Sequence, residues 1–184
     1  DDSEKKVCYL SDDERARLLA ALDAREARLR EARARYNQWL AERGKPLLPD
    51  LQGVPFSDYF KPMVLLALNT GIRRNALLSL VWGDVDLHNR FLLLRAASAK
   101  SGKSGYVNLN RTALEVLESW KKQAPEASPA SLVFPSPKNG QKMDNCDSAW
   151  ERLLKEAGIE GFRWHDMRHD FASRLVMAGV DLNT

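Results

Sequence analysis

The sequence predicts a mainly α-helical domain with one small antiparallel β-sheet, and two observations carry that expectation. Apolar residues recur at helical spacing in several segments that open on capping residues, and only Phe91–Ala97, Tyr106–Leu109 and the short Leu132–Phe134 read as strands. Ala99-Lys100-Ser101-Gly102-Lys103-Ser104-Gly105 joins the first two runs as a Gly-rich hairpin tip. The chain of 184 residues suits one domain, or one domain with an insertion.

The first helix opens at Ser11, with Glu14 at the capping-box spacing and Leu18, Leu19 and Leu22 on one face. Residues 23–43 are dense in Ala, Arg and Glu and continue as solvated helix. Gly44, Pro46, Pro49, Gly53 and Pro55 then break regular structure, so 23–56 reads as a helical insertion with a loop. Tyr59–Asn69 is a helix that tolerates Pro62 in its first turn, and its apolar run Met63–Leu68 marks the buried centre of the fold. Gly71 ends it and Asn75–Leu80 resumes as a short helix. Asn110 caps a helix bearing Leu114, Leu117 and Trp120, and Leu132–Phe134 forms a short strand. A helix over Asp144–Ala157 is closed by Gly158. The last helix runs from near His165 to Gly179, with Met167, Phe171, Leu175 and Ala178 as its apolar stripe.

Composition excludes several classes. No run approaches eighteen apolar residues, so no helical membrane span is expected. Asp1–Lys6 lacks the apolar core of a secretory signal. Cys8 and Cys146 offer neither metal-ligand spacing nor a disulfide framework, which fits a reducing cytoplasm. The net charge of +3 is too small to argue for nucleic acid, but its distribution is informative. Between Leu87 and Leu114 lie Arg90, Arg95, Lys100, Lys103 and Arg111 with no acid among them. That stretch is either a polyanion contact or a solvated basic hairpin.

Chemistry concentrates at two places. His165, Arg168 and His169 stand at i, i+3 and i+4 and share one face of the last helix. Such neighbours repel by a few tenths of a kcal/mol, roughly. An anion between them turns repulsion into charge-assisted hydrogen bonds worth about 1.5–3 kcal/mol each. The alternative for this helix alone is that neighbouring carbonyls satisfy the His and the Arg. His165-Asp166-Met167-Arg168-His169 also resembles a zinc-peptidase helix. Against that stand a permanent cation at Arg168, the short Asp166, and no third ligand by Thr184. No metal and no cofactor are expected. The second place is Thr70-Gly71-Ile72-Arg73-Arg74, where a buried helix stops and projects Arg73, whose guanidinium can bind two phosphate oxygens.

Thr70-Gly71-Ile72-Arg73, then Leu80-Val81-Trp82-Gly83-Asp84-Val85-Asp86-Leu87, then Lys100 in a basic hairpin, then His165-x-x-Arg168-His169 occur in the order of one family. Through these motifs, and Leu10-Ser11-x-x-Glu14, nearly the whole chain resembles the catalytic domain of the tyrosine recombinases, the phage integrase family. The resemblance implies that recombinase fold over residues 1–184, with its C-terminal part missing. It implies that Arg73 and Arg168 hold the scissile phosphate, that Lys100 protonates the departing 5′ oxygen, and that His165 assists proton transfer and binds phosphate, with His169 at a buttressing position. Arg74, Arg95 and Lys103 are the implied DNA contacts. The partner is a double-stranded recombination site, cleaved through a 3′-phosphotyrosyl link. The full-length protein is expected to be a homotetramer on DNA, cytoplasmic and encoded by a bacterium or phage, and this chain a monomer.

Two departures matter. The family carries an acid three places after the first arginine, where this chain has Ala76. The family's nucleophile follows the last helix, whereas Tyr9, Tyr36, Tyr59 and Tyr106 all precede it, so this chain alone is expected to be inactive. Ala76 favours an alternative, a DNA-binding relative without catalysis. A type IB topoisomerase-like relaxase would use the same residue chemistry.

Overall fold

Ser11 and Glu14 start the architecture as their spacing predicts. Glu14 N–H donates to Ser11 Oγ at 3.1 Å and Ser11 N–H to the Glu14 carboxylate at 2.8 Å, closing a capping box. The computed structural model describes residues 9–95 and 104–180. Helix α1 spans Asp12–Ala41, α2 Phe60–Thr70, α3 Arg74–Leu78, α4 Arg111–Lys122, α5 Asp147–Ala157 and α6 Asp166–Met177. A 3-10 turn at Trp82–Asp84 leads into β1 (Val85–Asp86), β2 (Phe91–Leu94) and β3 (Gly105–Asn108), which form one antiparallel sheet in that order. Leu92 faces Val85 on one side and Val107 on the other.

The segment from residue 23 onward is the distal part of α1, which continues unbroken through Ala41. Its outer half is held by arginines that donate to loop carbonyls: Arg30 to Leu51 and Val54, and Arg33 to Pro49. Its inner half packs on α5, where Arg17 donates to the carbonyls of Ala157 and Gly158 and Arg28 pairs with Glu156. Helix α2 is the buried centre that its apolar run predicts: Phe60, Met63, Val64, Leu66, Ala67 and Leu68 are all buried. It is tied to α4 by a polar bridge, in which the α4 N-cap Asn110 donates to Asn69 at 3.1 Å while capping Ala113 N–H at 2.9 Å.

Several details differ from the expectation. Leu132–Phe134 does not form a strand. Leu132 makes one isolated bridge to Val81, because Val81 turns at once into the 3-10 turn and Pro135 has no N–H with which to extend pairing. Strand β1 was not expected, since two residues are too few to show an alternating pattern. Strand β2 ends at Leu94 and Arg95 lies outside it; residues 96 and 97 of the expected strand and the hairpin tip through Lys103 fall outside the described residues.

The last correction concerns α6. Met167 is buried as expected, but Phe171 and Leu175 are half-buried and Ala178 is exposed. The other residues on the buried side are Asp166 and Asp170. Asp170 is fully buried and accepts hydrogen bonds from Leu10 N–H at 3.0 Å, Arg15 at 2.9 Å and Arg174 at 3.3 Å. A buried carboxylate is tolerated only when its lone pairs are so filled, and here it ties the start of α1 to α6. Removing it leaves Arg15 and the Leu10 amide without their acceptor. Asp170→Ala is therefore expected to cost about 3–5 kcal/mol and lower the melting temperature by roughly 10 °C. A thermal melt that stays within a degree or two of the parent would show that this network holds nothing.

Candidate active site

The end of α2 builds the first half of the site. Thr70 Oγ1 donates to Leu66 O at 2.6 Å and accepts from Ile72 N–H at 3.4 Å, while the Gly71 N–H returns to Ala67 O at 3.0 Å. Gly71 is left-handed at φ +61, and buried Ile72 plugs the turn into the core. Arg73 follows in extended conformation as the N-cap of α3, so its side chain leaves the turn rather than joining either helix.

Helix α6 brings the second half against the same turn. A Cβ on Gly71 would lie 2.7 Å from Phe171 Cδ1, so no other residue permits this approach without displacing the ring. One helical turn earlier, Arg168 NH1 donates to Gly71 O at 2.8 Å. That bond anchors one edge of the guanidinium two residues from Arg73. Burial, and then the charge of Arg73, push the Arg168 pKa below the ordinary guanidinium value. Among the described residues no carboxylate pairs with Arg73 or Arg168. Two cations held together without an acid make a site suited to an anion.

The imidazoles flank it. The His165 and His169 rings meet edge to face with centroids 5.2 Å apart. Desolvation, and then His169, push the His165 pKa below its ordinary value, against the opposing pull of Asp166. Asp166 is buried and committed elsewhere: it accepts from the Arg163 amide at 2.8 Å and from its guanidinium at 3.2 Å. Beneath His165 an open recess is walled by Trp150, Phe162 and Trp164, whose two indoles pack edge to face at 5.2 Å.

Arg73, Arg168, His165 and His169 are thus gathered by α2, α3 and α6. Of the implied DNA contacts, Arg74 lines the same recess as His165. Arg74 pairs with Asp147 of α5 at 2.6 Å, and Arg95 Nε lies 2.9 Å from both Asp84 oxygens. Lys100 and Lys103 lie outside the described residues. Sequence reasoning missed Asp84, Asp166 and Asp170, all buried. Only Asp166 left a usable signal, since an acid in the first turn of a helix favours its amides.

The model of the phage integrase family matches residues 10–184. The chain belongs to that family. Among curated members, the integrase of Salmonella phage P22 is 35% identical over 130 residues, covering 67% of this chain and 34% of that protein. The tyrosine recombinase XerA of Pyrococcus furiosus is 29% identical over 123 residues, covering 65% and 42%. This member therefore spans well under half the length of those relatives. Among solved structures, a XerA recombinase matches with a TM-score of 0.61 at 23% identity, covering 95% of this chain and 52% of that one. The Tn1549 transposon integrase, solved with circular intermediate DNA, matches with a TM-score of 0.65 at 18% identity, covering 98% and 58%. The fold is that of the recombinase catalytic domains.

The coupled imidazoles give a test within reach of this chain. His165 should titrate below the ordinary imidazole value of about 6.5, and His169→Ala should raise its midpoint by removing a neighbouring positive charge. Histidine-resolved NMR titration reads both. A midpoint that is unchanged or falls in the variant would show that the two rings do not interact as described.

Proposed function

We propose that this chain is the catalytic part of a site-specific recombinase that cuts and rejoins double-stranded DNA through a 3′-phosphotyrosyl intermediate. One observation supports it above the others: Arg168 is bonded to the carbonyl of Gly71 beside Arg73, with no carboxylate among the described residues paired to either. A phosphodiester supplies the missing negative charge, and its two non-bridging oxygens match two guanidiniums.

The attacking tyrosine in this reading lies in sequence C-terminal to residue 184. Its oxygen bonds to phosphorus, the P–O5′ bond breaks, and Lys100 gives a proton to the departing 5′ oxygen. Arg73 and Arg168 stabilise the extra charge that gathers on the non-bridging oxygens at the transition state, and losing one such donor costs about 10²–10³ in rate. His165, held neutral more readily than a free imidazole, is suited to receive or relay the tyrosine proton, with His169 as its buttress. The phosphotyrosyl bond keeps the energy of the broken linkage, so rejoining needs no nucleotide. Since arginines and lysine meet the phosphate charge, cleavage is expected to persist in excess EDTA.

In this reading Arg74, Arg95 and Lys103 contact flanking DNA, with Arg74 and Arg95 exchanging or sharing their protein carboxylates when DNA arrives. The full-length protein works as a homotetramer on its site and the 184-residue chain is a monomer. The second reading, a DNA-binding relative without catalysis, is favoured by Ala76, which is buried and offers no acid near Arg73.

A nicked suicide DNA substrate separates the two. The full-length protein should be trapped on it as a covalent adduct that maps to a tyrosine beyond α6. The 184-residue chain should bind the same DNA weakly, with affinity falling steeply as salt rises, and should form no adduct. An adduct at Tyr9, Tyr36, Tyr59 or Tyr106 would show that the nucleophile is misplaced, and no adduct with the full-length protein would favour the second reading.

A further inference from the structure

We propose that Lys142 is a further DNA contact, an ammonium that Asn75 holds ready for the phosphate adjoining the scissile one. The inference rests on the reading that Arg73 and Arg168 receive the scissile phosphate. Lys142 Nζ donates to Asn75 Oδ1 at 2.7 Å. Asn75 lies in α3, two residues after Arg73. Among the described residues no carboxylate pairs with Lys142, so its charge is as open as those of the two arginines.

The backbone decides where this lysine stands. Residues 136–141 form a tight loop, in which Ser136 N–H donates to Gln141 O at 2.8 Å and Gly140 N–H returns to Ser136 O at 2.8 Å. Gly140 makes the turn at φ +72, and Asn139 Oδ1 accepts from Gln141 N–H at 3.1 Å. At the neck of the loop Lys142 bridges Pro135 in antiparallel fashion. Buried Phe134 and Met143 flank that neck and anchor both of its strands in the core. The Lys142 backbone is therefore fixed from both sides, and only its side chain remains to be directed. Asn75 directs it.

A neutral amide suits that task. It orients the ammonium without cancelling its charge, and it takes one of three N–H donors, which leaves two for a phosphate. An acid in the same place would orient the lysine and neutralise it. Ala76, beside Asn75, has no such charge. Lys142, Asn75, Ala76, Asp84 and Arg95 line one recess beside α3, and its one carboxylate, that of Asp84, is buried and paired with Arg95. Lys142 is thus bracketed by cations that the DNA reading already uses, Arg95 across the recess and Arg73 and Arg74 immediately before Asn75. Phosphates follow one another every ~3.4 Å of axis along each strand. A strand seated on Arg73 accordingly offers its next phosphate to a cation held two residues away.

The test has two arms. The first follows the affinity of this 184-residue chain for a random-sequence duplex of about 20 base pairs as salt rises. Lys142→Ala should weaken binding roughly 3- to 10-fold at low salt and make the log–log salt slope shallower by ~0.9, one phosphate contact. Lys142→Arg should restore the slope. Asn75→Ala keeps the charge but frees it, so the slope should hold while affinity falls about two- to threefold. Lys45→Ala, past the far end of α1, is the control and should keep the parent slope. Lys142 and Lys45 are exposed, so thermal melts of both variants should match the parent. The second arm uses the full-length protein on its recombination site, with neutral methylphosphonate replacing one phosphate at a time beside the cleaved one. At one adjoining position the replacement should weaken the parent and leave Lys142→Ala unaffected. An unchanged slope in Lys142→Ala, an equal shallowing in Lys45→Ala, unchanged affinity in Asn75→Ala, or matching losses in parent and Lys142→Ala at both adjoining phosphates would each overturn the proposal. A parent chain whose DNA binding ignores salt would instead sink the DNA reading, and the inference with it.

Discussion

Everything proposed for the site depends on how closely α6 approaches the left-handed turn at Gly71. The absence of a Cβ there lets Phe171 rest against the backbone, and that contact sets the height at which Arg168 meets the Gly71 carbonyl. Arg73 leaves the same turn two residues later. One backbone position therefore fixes both guanidiniums relative to each other, although they are 95 positions apart in sequence. Had α6 stood off by the width of a methyl group, the Arg168 bond would be lost and the two cations would be free to separate.

The same helix sorts its charges by depth. Asp166 and Asp170 point inward, where Arg163, Arg15 and Arg174 neutralise them. His165, Arg168 and His169 lie outward of these, and the acids on their own helix are already committed. Positive charge on the outer face is thus unbalanced locally while the inner face is balanced and rigid. That division lets one helix clamp the start of α1 on its inner side while its outer side is suited to an anion. It also explains the lowered pKa of His165, which feels other cationic groups in addition to desolvation.

Much of this could be read from the residues. Capping at Ser11 and Asn110, the apolar run of α2 and the Gly71 stop are local signals, and local chemistry decides them. The face shared by His165, Arg168 and His169 follows from helical spacing alone. The structure then adds its juxtaposition with Arg73, a long-range contact that no local pattern encodes and that the family resemblance had to supply. Two of the three buried acids were not legible. Asp84 and Asp170 look like surface residues until their partners arrive from further along the chain, as Arg15 and Leu10 do for Asp170, whereas Asp166 is held by its neighbour Arg163. For the same reason the apolar stripe expected on α6 was too broad: Asp170 occupies the buried position where packing alone would suggest a hydrophobic residue. The two-residue strand β1 and the single bridge at Leu132 fall below the length at which alternation carries information.

The central claim is that the Gly71 contact, and not each arginine separately, creates the phosphate site. A double-mutant cycle on strand cleavage by the full-length protein tests it most directly, with Gly71→Ala and Arg168→Ala made singly and together and folding checked by thermal melt. If Gly71 acts by placing Arg168, each single variant loses about 10²–10³ in rate and the double variant loses hardly more than either. Fully additive losses, or a Gly71→Ala variant that folds and cuts at the parental rate, would contradict the account.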